Sequence, residues 1–175
     1  MKQKTQDSIV WLTTTALFMA MNVVMCSFSI PVPGGHLYLC DAVICTAAIL
    51  LDPLAAFLVG GVGSFIGDLL FYPLPMFVSL ATHGLQALAI SLIAHYALKK
   101  HPVLASGIGV TVGTVILVVG YSLGRAFVYA TPEAALVKLP YEVLQGTVGA
   151  VGGMLLVWKG NLHTLYKKAQ RRLDT

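Results

Sequence analysis

Charge is what this sequence has least of. Only 10% of its 175 residues are Asp, Glu, Lys or Arg, against 57% hydrophobic residues, and the mean hydropathy is +0.83. A soluble domain covers its exterior with about a quarter charged residues, so this composition excludes one and leaves lipid as the outer solvent. Cysteine is scarce too. Cys26, Cys40 and Cys45 form no metal-type spacing with histidines and read as small buried residues. The zinc-hydrolase signature is missing: there is no His-Glu-x-x-His, and His83 and His95 stand too far apart to share one helix turn. Gly60-Gly61-Val62-Gly63-Ser64 is followed by no Gly-Lys-Ser/Thr and preceded by no strand, which argues against a phosphate loop. Neither a cofactor nor a metal is expected.

What is present is apolar sequence in six segments, at 9–28, 39–51, 54–72, 76–97, 103–127 and 139–158. A bilayer core of ~30 Å needs about 20 helical residues, and all but the second segment meet that length. The second is cut short at Asp52-Pro53, because proline removes a backbone donor and ends the preceding helix. Charge placement settles the count. With six spans and an inside N-terminus, Lys2, Lys4, Lys99, Lys100, Lys159, Lys167, Lys168, Arg171 and Arg172 all lie inside, and only Arg125 and Lys138 lie outside. Five spans would carry Lys99, Lys100 and the basic C-terminus across, against the positive-inside rule. The expected fold is an all-α integral membrane protein, one domain of residues 1–175. It forms a six-transmembrane-helix bundle with both termini cytoplasmic and a basic tail at 159–175. The first segment reads as a retained helix, since Cys26-Ser27-Phe28-Ser29 is a poor cleavage site. A net charge of +4 fits contact with anionic lipid rather than nucleic acid.

In such a chain the few polar groups inside the spans are the functional candidates, since each buried charge costs about 2.5–3.5 kcal/mol on insertion scales. His83 and Gln86 lie three apart on the fourth segment, and Glu142 and Gln145 repeat that spacing on the sixth, so each pair shares a helix face. Arg125 ends the fifth segment one turn beyond Tyr121. All fall in the outer half of the membrane, where amides, imidazole and tyrosine suit a planar heterocycle with several hydrogen-bonding edges. Asp41 opens the second helix, where a carboxylate complements the helix dipole; together with Asp68 it reads as structural. His95 and His101 fall near the inner surface without such company. Residues 29–38, 72–75 and 126–138 read as outer loops, the first rich in turn residues at Pro31, Pro33, Gly34 and Gly35. Small residues recur four apart on several segments, including Ala16 and Ala20, Gly63 and Gly67, and Gly149 and Gly153, a spacing that lets helix backbones approach closely in lipid.

Taken with the six spans, the loop Ser29-Ile-Pro-Val-Pro-Gly-Gly-His-Leu-Tyr-Leu-Cys-Asp41, the run Leu51-Asp-Pro-Leu-Ala-Ala56 and the stretch Gly60-Gly-Val-Gly-Ser-Phe-Ile-Gly-Asp-Leu-Leu70 resemble the substrate-binding S components of energy-coupling factor (ECF) transporters. Cys40 departs from the pattern, where related proteins often carry glycine. The resemblance covers nearly the whole chain. It implies a prokaryotic cell-membrane protein that captures a vitamin or precursor beneath its outer loops, which adds His36 and Tyr38 of the first loop to the candidate substrate-binding residues. It further implies that the protein topples in the membrane against a transmembrane coupling subunit (T component), driven by two cytoplasmic ATPases, with Ala16 and Ala20 as the docking motif. Among vitamins, the likeness is greatest to hydroxymethylpyrimidine- or pyridoxine-type members. Pantothenate is the main alternative, because its carboxylate would need Arg125 or Lys138; riboflavin and folate require larger cavities. A stand-alone proton-coupled carrier could relay protons through Asp68, His83 and Glu142, but the sequence offers no second inverted half.

Overall fold

The computed structural model describes the backbone of residues 2–173 and the side chains of residues 9–169. The side chains of Lys2, Lys4, Arg171 and Arg172, on which the inside assignment of the termini partly draws, lie outside the described residues. Helix α1 (Lys2–Cys26) leads into a hairpin, β1 (Ser29–Val32) and β2 (Gly35–Tyr38), paired antiparallel from Ser29↔Tyr38 to Val32↔Gly35. Expected only as a turn-rich loop, this segment turns on Gly34 and Gly35, at φ 81° and 148°, backbone angles that side-chain-bearing residues rarely adopt.

Helix α2 (Cys40–Leu50) is short and has all but one of its residues buried; protein, not lipid, surrounds it. Leu51 is extended, and Asp52 restarts the chain by accepting from the backbone N–H groups of Leu54 and Ala55 at 3.0 and 3.2 Å, with Pro53 in the first turn. Such a cap with a following proline is a strong helix start. Helix α3 (Pro53–Phe71) contains one wide π turn at Leu58–Val62. There Gly60 lies so close to α4 (Met76–Tyr96) that an added Cβ would stand 2.6 Å from the His83 carbonyl oxygen. The glycine run is therefore a helix contact.

Helix α5 (Pro102–Tyr129) runs longer than its expected segment and widens into a π turn at Arg125–Tyr129. The expected outer loop at 126–138 is corrected: only Ala130 and Thr131 break the helix, and α6 (132–159) begins at once with Thr131 as its cap and Pro132 behind it. Gly160 and Asn161, the latter at φ 60°, end α6, so the tail is a separate amphipathic helix, α7 (Leu162–Leu173), and not a continuation of the sixth span.

Among the described residues, α3, α4, α5 and the Ile9–Cys26 part of α1 are long and apolar enough to cross a membrane. Helix α2 is too short to count, and Lys138, Pro140, Glu142 and Gln145 dilute α6. Large apolar side chains such as Leu17, Phe77, Val115 and Val128 cover the outside, the reverse of a soluble exterior. Inside, small residues set the distances between helices. Gly63 and Gly67 face Asn22 and Cys26 of α1, and Gly149 and Gly153 face Asp41 and Cys45 of α2. Asn22, wholly buried, donates to the Val59 carbonyl at 2.7 Å and to Ser64 at 3.1 Å, tying α1 to the π turn. Ala16 and Ala20 point the other way, on the exposed face of α1.

A methyl group added at Gly149 would overlap Asp41, whereas one added at Gly107 would meet only the end of Met154 at 3.9 Å. Gly149→Ala is expected to lose about 1–3 kcal/mol to overpacking, seen as a lower melting temperature in detergent, while Gly107→Ala holds or gains stability. Equal melting of the two variants contradicts this packing.

Candidate functional site

Beneath the hairpin, five helices place polar side chains against one another in three linked groups. The first centres on Asp41, which is 1% exposed. One carboxylate oxygen accepts from Gln86 Nε2 of α4 at 3.1 Å and the other from Gln145 Nε2 of α6 at 2.7 Å. Because the Gln86 amide nitrogen is committed to Asp41, its oxygen faces His83 Nδ1 at 2.7 Å, which makes Nδ1 the protonated ring nitrogen. His83 Nδ1 is also 3.7 Å from the Asp41 carboxylate. Gln145 Oε1 accepts from the Tyr38 backbone N–H at 3.0 Å, so a single amide joins the end of the hairpin to the buried acid.

The second group lies one turn toward the N-terminal end of α4. Ser79 donates to Asp68 of α3. Tyr121 Oη of α5 is 2.5 Å from Ser79 Oγ and must donate, since the serine proton is already used. The Tyr121 ring meets His83 edge-on at 5.3 Å, linking this group to the first.

The third group holds the hairpin down. Arg125 Nη1 donates to the Gly34 carbonyl at 2.6 Å and Lys138 Nζ to the His36 carbonyl at 2.7 Å. Both cations converge on Glu142, at 3.4 Å from Arg125 and 3.9 Å from Lys138. Lys138, expected in an outer loop, is 1% exposed on α6. Sharing one carboxylate and reaching carbonyl groups is how two buried cations avoid an uncompensated charge.

Four buried polar atoms in this region have no protein partner: His36 Nδ1, Ser122 Oγ, Arg125 Nε and Tyr129 Oη. Arg125 lies over the Tyr129 ring at 5.2 Å, and His36 stands edge-on to Tyr72 at 5.6 Å. Buried polar groups are normally paired, so a patch of unmet donors and acceptors walled by aromatic rings is chemically suited to a small polar ring.

Donor atoms of Cys40, Asp41 and His83 fall within 4.8 Å of one another. Both Asp41 oxygens already accept from amides and His83 Nδ1 already donates, so this trio fits a hydrogen-bond network better than a metal centre. An open cavity of about 930 Å³ lies elsewhere, among Trp11, Asp52, Lys99 and Trp158 at the opposite end of the bundle. Size favours that cavity, but the convergent polar chemistry lies under the hairpin.

Of the residues expected to bind substrate, the structure brings together His36, Tyr38, His83, Gln86, Tyr121, Arg125, Glu142 and Gln145. Asp41, expected to serve only its own helix, instead joins three elements. Ser79 was not among the expected residues. Ser79 sits four residues before His83 on the same helix face, a spacing that marks it in the sequence.

Replacing Arg125 and Lys138 together by glutamine removes two charged hydrogen bonds to the hairpin carbonyls. Amide hydrogen exchange across residues 29–38 is then expected to speed up by about tenfold or more; unchanged exchange would mean that other contacts hold the hairpin.

Comparison with known proteins follows the geometry. A relative from Pyrococcus woesei, described only as an uncharacterised protein in a gap 3′ region, is 26% identical over 136 residues, covering 77% of this chain and 89% of that protein. A sequence model of the ECF-type riboflavin transporter S component family matches residues 6–162. That match spans all six apolar helices and the whole polar cluster, so the chain belongs to this family of membrane-embedded, substrate-specific subunits of ECF transporters.

Proposed function

We propose that this chain captures a water-soluble vitamin or vitamin precursor on the outer side of the membrane, in the polar cluster beneath the hairpin. The observation that carries the reading is the set of unpartnered buried atoms on His36, Ser122, Arg125 and Tyr129, next to a network that already orients Gln86 and Gln145. His36, Tyr38, His83, Gln86, Tyr121, Arg125, Glu142 and Gln145 bind the ligand. Asp41 and Asp68 hold those side chains in place. The bundle crosses the membrane six times with both termini in the cytoplasm, α2 being short because it is shielded by protein on all sides.

The ligand is a small nitrogen heterocycle bearing hydroxyl groups, of the hydroxymethylpyrimidine or pyridoxine kind. Neutral donors and acceptors dominate the lining, and Arg125 is engaged by Glu142, which disfavours the free acid that pantothenate would bring. Riboflavin is the second reading, favoured by the printed name of the matching family. Delivery follows by toppling in the bilayer against a T component, with ATP hydrolysed on two separate cytoplasmic chains. Ala16 and Ala20, small and exposed on α1, offer the close-approach face for that coupling subunit.

Calorimetry on the purified protein without ATP tests the ligand assignment. Pyridoxine or hydroxymethylpyrimidine is expected to bind with Kd about 1 μM or tighter, that is about −8 kcal/mol. His83→Ala should weaken binding by about 1–3 kcal/mol through a stranded polar partner. Tight binding of riboflavin alone would select the second reading, and no binding of any B vitamin would refute the capture role.

A further inference from the structure

The cavity of about 930 Å³ at the far end of the bundle has no part in the capture site. It lies where α1, the α2–α3 joint, the C-terminal end of α4, the start of α5, the end of α6 and α7 meet. Its lining combines two lysines, two histidines and both tryptophans of the chain: Lys99, Lys167, His95, His163, Trp11 and Trp158. The one acid among the lining residues, Asp52, is spent on neighbours, accepting from Trp11 Nε1 and from the backbone N–H groups of Leu54 and Ala55.

We propose that this cavity binds the phosphate headgroup of an anionic phospholipid of the cytoplasmic leaflet. Two observations converge on that chemistry. Lys99 and Lys167, both basic, line the cavity and are exposed. Trp158 Nε1 is buried there without an acceptor among protein atoms, a donor suited to a phosphate oxygen.

His163, stacked against Trp158 at 4.8 Å, has its pKa pushed below the usual histidine range by burial and then by Lys167. The ring is neutral at pH 7, which assigns the positive charge of this face to the lysines.

Lipid, rather than a soluble anion, suits the remaining surface. The tryptophans form the kind of aromatic lining found at membrane interfaces. Val103 and Leu104, on the turn of α5 next to the lining residue Pro102, are exposed and apolar and offer a bed for an acyl chain. Helix α7 is amphipathic, with Lys167 and Lys168 exposed and Leu162 and Tyr166 half-buried, as expected of a helix lying in the interface plane.

Since both tryptophans line the cavity, their fluorescence reports on it alone. Protein in detergent is titrated with bromine-labelled phosphatidylglycerol, with bromine-labelled phosphatidylcholine and, as competitor, with glycerol 1-phosphate. Saturable quenching by the anionic lipid, well ahead of the zwitterionic one, is expected. K99Q and K167Q, both at exposed positions, should each weaken it about fivefold, as a juxtamembrane basic residue does on an anionic surface. Vitamin binding by the same variants, measured in parallel, is expected to be unchanged and shows that they are folded. Equal quenching by both lipids, or no loss in the double variant, overturns the proposal. Displacement by glycerol 1-phosphate at concentrations similar to the lipid's also overturns it, in favour of a soluble phosphate site.

Discussion

A carboxylate removed from water is the constraint around which the hairpin half of this molecule is arranged. Asp41 is almost wholly buried, and an isolated ion in such a place costs several kcal/mol. The cost is offset only because Gln86 and Gln145 each aim an amide N–H group at it. Those amides come from α4 and α6, so satisfying one acid fixes the relative positions of three helices. Gln145 then passes the constraint outward through its oxygen to the backbone of Tyr38, and Gln86 passes it sideways to His83. The side-chain geometry beneath the hairpin is in this sense a by-product of satisfying one buried carboxylate.

Lipid imposes the complementary condition. Water gives no hydrophobic drive between helices in a bilayer, so close contact depends on small residues and a few internal hydrogen bonds. Gly63 and Gly67 of α3 face α1, Gly149 and Gly153 of α6 face α2, and Asn22 reaches across to Val59 and Ser64. One stripe of small residues, Ala16 and Ala20, has no such internal neighbour and lies exposed. An apolar flank of this kind suits the reorientation in the membrane proposed for delivery.

The apolar segments and their helical nature were legible in the sequence because lipid demands long unbroken runs, and their limits agree with the helices within a few residues at most boundaries. Residues 126–138 were not legible as helix: Arg125, Pro132 and Lys138 look like a loop until Lys138 is seen to be buried against Glu142 and the His36 carbonyl. The pairs His83–Gln86 and Glu142–Gln145 stood out through helical spacing alone. Asp41 was undervalued because a dipole argument considers only its own helix, whereas its partners lie 45 and 104 residues away in sequence. The hairpin was invisible for a similar reason, since its strands are held by Arg125 and Lys138 as well as by each other.

A structure determined with the protein's co-purifying small molecule tests the central claim most directly. The account predicts a compact heterocycle beneath the hairpin, within hydrogen-bonding distance of His36 Nδ1 or Arg125 Nε and bounded by His83, Gln86 and Gln145. A ligand found in the cavity beside Trp11 and Trp158, with the cluster around Asp41 untouched, would contradict it.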